Sequence, residues 1–142
     1  RFMSSRGLGD VYKRQEKKAV IAYRRQKAYD TLTEANEVAK LGYWSLVGNR
    51  LYYSVFHMAS ALLLDKGFTA RTHSGVIHLI GSQFIAKVFL TKLTEFTLPL
   101  FELRQSGDYD DLYDATEEEV LPYIERTAIF LSVLDELILL KA

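Results

Sequence analysis

Apolar residues recur along most of this chain at intervals of three and four, the period of an amphipathic helix. From Glu16 to about Leu41, the residues Ala28, Leu32, Ala35 and Val38 or Ala39 follow that spacing, and Gly42 supplies a stop. A second stretch, Ser45 to Lys66, is apolar over a wider arc and ends at Gly67. Thr72 fits the cap of a third helix reaching about Val88, weakened inside by Gly75 and Gly81. Thr91 to Ser106 reads as a fourth. Pro99, which lacks an amide donor, kinks or restarts it, and Gly107 fits its C-terminal cap. The last helix opens at TEEE, where Thr116 and Glu119 match a capping box, with Val120, Ile124, Ala128, Leu131, Leu134 and Ile138 on one face. Pro122 sits awkwardly for that start and argues for one a few residues later. There is no strand-period alternation, hairpin dipeptide or internal repeat. The pattern predicts an all-α protein, an up-and-down bundle of four to five helices.

The first fifteen residues, RFMSSRGLGDVYKRQ, show little apolar periodicity and resemble translated sequencing-adaptor read-through. They are expected to be a non-native extension, disordered or fortuitously ordered, ahead of a domain spanning residues 16–142. Gly7-Leu8-Gly9 is accordingly not read as a phosphate loop.

Composition narrows the class. With 142 residues, 49% hydrophobic and 25% charged, the chain fits one soluble domain with a sizeable core. It has no cysteine, which removes disulfides and thiolate metal sites and suits a cytoplasmic protein. The richest apolar run, AIFLSVLDELILL, is interrupted by Asp135 and Glu136, so no membrane span is expected. The zero net charge conceals an asymmetry. Residues 16–92 hold eleven Lys/Arg against five Asp/Glu, whereas residues 93–142 hold three against twelve. A basic first half suits phosphate, and an acidic second half suits a basic partner or simply water.

The candidate chemistry lies in the second helix, in NRLYYSVFHMA from Asn49 to Ala59. On a helical wheel Tyr53, Ser54 and His57 fall within about 60° of Arg50, while Leu51, Tyr52, Val55, Phe56, Ala59, Leu62 and Leu63 fill the remaining arc. Arg50 and His57 are two turns apart, about 10 Å along the axis, close enough for long side chains to meet one ligand. Arginine offers a planar, permanent charge for a phosphate, and histidine moves a proton near neutral pH. The same spacing also arises when an arginine pairs with a carboxylate and a histidine merely packs.

Arg50-LYYSVF-His57, preceded by Asn49, resembles the hallmark of the HEPN superfamily (higher eukaryotes and prokaryotes nucleotide-binding): an arginine, four to six residues, then a histidine on one long helix. The resemblance continues through LLLDKGF, THSGV at Thr72–Val76 and LRQSGDYDD at Leu103–Asp111, covering roughly Lys17 to Leu140. It implies a helical bundle that dimerises and, in many members, cuts RNA without a metal or cofactor. Many prokaryotic members are toxins paired with a minimal nucleotidyltransferase antitoxin. Others are non-catalytic, binding nucleotides or serving as partner modules. Some toxins carry a tyrosine two places after the histidine, which the antitoxin modifies with nucleotide; here that place is Ala59, which argues against silencing by that route.

Two readings follow. The first is a metal-independent endoribonuclease, the toxin of a toxin–antitoxin pair, with Arg50 and His57 catalytic in a homodimeric site. The second is a non-catalytic HEPN module that binds nucleotide or partners a minimal nucleotidyltransferase. Asn49, Tyr53, Ser54, His73, Arg104, Asp108 and Tyr109 are candidates for substrate contact or for buttressing the pair. His73 also suits a structural role in its turn. His73 and His78 are about 140° apart on a helix, so no shared metal is expected. GDYDDLYD lacks the glycine and distal glutamate of a calcium loop, and its default is a solvated turn.

Overall fold

The computed structural model describes residues 5–68, Gly75 and residues 114–139. Three helices account for the described elements: α1 (Ser5–Ala39), α2 (Trp44–Asp65) and α3 (Glu117–Leu139). The protein is all-helical over these residues, as the periodicity predicts. Apart from Gly75, which is helical, the expected third and fourth helices, Thr72–Val88 and Thr91–Ser106, lie outside the described residues, and the full helix count lies there too.

Helix α1 begins at Ser5, within the stretch expected to be a non-native extension, and continues without interruption to Ala39. Its buried line is made of small groups, Ala28, Thr31 and Ala35, with Ile21 nearer the N-terminal end. Thr31 is tolerated there because its hydroxyl donates back to the Lys27 carbonyl at 2.7 Å.

Both glycine stops work through the same motif. At the end of α1, Gly42 has a φ of 77°, its N–H reaches the Ala39 carbonyl at 3.0 Å, and the Tyr43 N–H reaches Val38 at 3.4 Å. At the end of α2, Gly67 has a φ of 82°, its N–H reaches Leu64 at 3.2 Å, and Phe68 reaches Leu63 at 2.8 Å. These are Schellman closures, and the left-handed turn residue favours glycine because it has no Cβ.

Helix α3 starts where the capping box indicates. The Glu119 N–H donates to Thr116 Oγ1 at 3.3 Å, and the Thr116 N–H donates to Glu119 Oε1 at 3.1 Å. The later start suggested by Pro122 is not seen; that proline lies inside the helix. It is exposed, as is Glu118, whose carbonyl loses a helical donor to the proline.

Helices α1 and α2 form an antiparallel hairpin, while α3 runs parallel to α2. Ser45, at the start of α2, accepts a hydrogen bond from the Ala115 N–H at 3.0 Å, just ahead of α3. At the opposite end of the bundle, Asp135 binds both Arg25 Nε and the Tyr29 hydroxyl, tying α3 to α1. Between these ends Leu51, Met58 and Leu62 pack with Phe130, Leu131 and Leu134 in one core. On α3 the buried face is rotated slightly from the predicted one. Thr127 and Phe130 are buried, Ile124 is half-buried, and Ala128 is exposed.

Candidate functional site

The α1–α2 connection is only four residues long, so each position on α2 has a fixed partner on α1. Arg50 Nη1 meets Glu34 Oε1 at 3.4 Å, and Arg24 Nη1 meets the Ser60 carbonyl at 3.4 Å. In both pairs the residue numbers add to 84, which sets His57 opposite Lys27. The edge of α2 that carries Arg50, Tyr53 and His57 is therefore the edge that borders α1.

Along this edge the arginine is held in place. Asn49 Oδ1 accepts from Arg50 Nε at 3.0 Å and from Nη2 at 2.8 Å. The guanidinium carbon also stands 5.4 Å from the centre of the Tyr53 ring, a cation–π contact one turn along. The Glu34 pairing is longer, and its carboxylate is about half-exposed at 53%, so it is the weaker of the anchors. His57 is half-buried; its ring centre is 6.3 Å from that of Tyr53 and 5.9 Å from that of Phe56. Tyr53 thus forms an aromatic bridge between Arg50 and His57.

Ser54 does not share that edge. The wheel sets it beside Arg50, but it is fully buried and its hydroxyl donates to the Leu51 carbonyl at 2.7 Å. Of its two candidate roles, substrate contact does not suit it: core packing covers that side of the stripe, and the exposed strip is narrower than the wheel implies. Ala59, two places after the histidine, is buried at 4% exposure. His73, Arg104, Asp108 and Tyr109 lie outside the described residues. Glu34 escaped the sequence reading because it is sixteen positions from Arg50. The signal was present in the glycine stop at Gly42, which fixes the hairpin register once both helices are assigned.

A partly exposed arginine fixed by an amide oxygen, with an imidazole two turns away, can bind an anion and exchange a proton beside it. Among the described residues, no helix is long and apolar enough to cross a membrane.

Relatives share most of this chain. A UPF0332 protein of Thermotoga maritima is 36% identical over 124 residues, covering 87% of this chain and 94% of its own. A protein of Methanocaldococcus jannaschii named "putative toxin" is 30% identical over 122 residues, covering 85% of this chain and 80% of its own. A second protein of that organism, with the same description, is 33% identical over 82 residues, covering 57% and 60%. The model of the HEPN domain matches residues 21–137, which take in the second half of α1, all of α2, nearly all of α3 and both Arg50 and His57. By fold, by motif and by this match, the chain belongs to the HEPN domain family.

Proposed function

We propose that this protein is a HEPN-type endoribonuclease, acting as the toxin of a toxin–antitoxin pair. The carrying observation is that Arg50 and His57 share the α1-facing edge of α2, with the arginine oriented by Asn49 and Tyr53. The names of the two Methanocaldococcus jannaschii relatives support the toxin reading.

The chemistry follows from RNA itself. The 2′-hydroxyl oxygen attacks the adjacent phosphorus while a base takes its proton. The bond from phosphorus to the 5′-oxygen breaks, and that oxygen receives a proton. The products are a 2′,3′-cyclic phosphate and a 5′-hydroxyl. Arg50 stabilises the charge gathering on the phosphorane oxygens, and His57 carries the proton. Two proton transfers favour two imidazoles, so the working unit is a homodimer whose Arg50/His57 edges face a two-fold axis. With an alanine at position 59, which has no hydroxyl to accept a nucleotide, a nucleotidyltransferase-type antitoxin acts by covering the site rather than by modifying that position.

Purified protein should cut single-stranded RNA in EDTA and leave cyclic phosphate ends or their hydrolysis product. Activity that requires added magnesium would overturn the mechanism. Engagement of Arg50 by both Asn49 and Glu34 favours a second reading, a non-catalytic module that binds nucleotide or a nucleotidyltransferase partner. Growth on induction separates the two: wild type should arrest cells and His57→Ala should not, at matched soluble expression. Equal growth of both supports the second reading.

A further inference from the structure

The side of α1 that borders the Arg50/His57 edge carries cations that the cleavage chemistry does not use. Glu34 and Arg24 mark this side directly, through their contacts with Arg50 and Ser60. Lys27 lies between them on the same helical stripe, opposite His57 in the hairpin register. Lys17 continues the line two turns beyond Arg24, where α1 extends past the end of α2. Lys17 is exposed and Lys27 half-buried, and among the described residues neither is engaged by a carboxylate. Tyr23 stands beside Lys27 with 66% of its surface exposed.

The acids nearby are Glu16, exposed beside Lys17, and three that are each engaged. Glu34 faces Arg50, Asp30 accepts from Gln26 Nε2 at 2.9 Å toward the outer edge, and Asp65, at the foot of α2, is 3.3 Å from Lys66 Nζ. From Lys27 to Lys17 the track runs about 15 Å along the axis. Its upper end lies beside His57, and its lower end is at the exposed Lys17.

We infer that this face of α1 is a binding track for the phosphate backbone of single-stranded RNA, with Lys27, Arg24 and Lys17 along it and Tyr23 as a stacking platform. A cationic groove with an interleaved aromatic is the usual means of holding a single strand without reading its sequence. The inference deepens the proposed function, on which its choice of RNA rests. It adds the path by which a strand leaves the Arg50/His57 cleft. An acidic protein surface, including the acidic half of a second copy, is the rival that the test separates, since Lys13, Arg14 and Lys18 also lie exposed around Lys17; the course of the track toward the Arg50/His57 pair favours a phosphate backbone.

The test is anisotropy of a fluorescent oligouridylate, titrated with protein over a range of salt. His57→Ala serves as the background, so that the probe survives. Adding Lys17→Glu and Lys27→Glu should weaken binding about tenfold. It should also make the slope of log K against log salt shallower by about 1.4, the share of two phosphate contacts on a single strand. Lys40→Glu, in the turn beyond the far end of α1 and paired with Glu37, should change neither. Unchanged affinity and slope in the double variant would overturn the track. So would a loss of binding that light scattering traces to dissociation of the dimer, which would assign the cations to the acidic half of a second copy. Salt-dependent binding that responds as expected, in a wild-type protein that cuts no RNA, would uphold the track while removing the cleavage reading.

Discussion

The side-chain oxygen of Asn49 accepts two N–H groups from its own neighbour, Arg50, at 3.0 and 2.8 Å. Adjacent helical residues do not normally face each other, so the long guanidinium must fold back to make this fork. The arrangement settles the direction in which the remaining N–H groups point. Asn49→Leu should therefore lower kcat/KM for RNA cleavage by about tenfold or more, the scale of hydrogen bonds to a charged group. Its circular dichroism should stay close to wild type, because Asn49 is only half-buried. Asn49→Asp keeps the acceptor but adds a negative charge beside the phosphate, so its loss should appear mainly as a raised KM. Wild-type kinetics in Asn49→Leu would remove the positioning role.

Ser54 supplies the contrasting case. Its hydroxyl is committed to the Leu51 carbonyl and its side chain has no exposed surface. Ser54→Ala should leave cleavage within about twofold of wild type and cost about 1 kcal/mol of stability at most, the net worth of one such bond. Ser54→Leu should instead unfold part of the bundle, since a packed interior resists added volume. A large kinetic defect in Ser54→Ala at unchanged stability would return this residue to the site.

Much of this molecule was legible in its sequence, for reasons that differ from element to element. Gly42 and Gly67 announce their helix ends because a left-handed turn residue favours glycine, and Thr116 with Glu119 announces a start because that spacing closes two hydrogen bonds at once. Arg50 and His57 are visible because their spacing stays on one helix. What a wheel does not contain is the second helix against which it packs. It cannot say that Ser54, 40° to one side of Arg50, is covered while Tyr53, 60° to the other, lines the edge. Nor does it fix the partner of Arg50, since Glu34 is brought near only by the hairpin. The Pro122 warning failed because a lost helical bond near an N-terminus on an exposed face costs little when water can replace it.

Thr127 is a local flaw that can be repaired. Its hydroxyl is buried and, among the described residues, has no hydrogen-bond partner, at a position where α3 faces the core. An unpaired buried hydroxyl carries a desolvation cost that an isosteric methyl avoids. Thr127→Val should therefore raise stability by about 1 kcal/mol, shifting the thermal midpoint upward by several degrees for a domain of this size. Cleavage should be unaffected, because Thr127 belongs to none of the elements around Arg50. A fall in stability would mean that the hydroxyl is satisfied after all.

The clasp between Tyr29 and Asp135 makes stability depend on alkaline pH. Burial first, then the hydrogen bond that the Tyr29 hydroxyl donates to the Asp135 carboxylate at 2.9 Å, push the phenol up to about 12 from 10.0; Arg25 nearby opposes the shift. A raised value means that the folded state holds this proton more tightly than the unfolded chain does. Below pH 10 both states keep it, and the contribution is complete. Between about 10 and 12 the unfolded chain releases its proton first, so the unfolded state binds fewer protons and stability falls as pH rises. Tyr29→Phe has no proton to lose there. Thermal midpoints measured by circular dichroism near pH 9 and again near pH 11.5 should fall further in wild type than in Tyr29→Phe. Other groups that titrate in this range, the lysines among them, contribute equally to both proteins, so the difference isolates the clasp. Parallel declines would show that Tyr29 and Asp135 are not coupled in the folded protein.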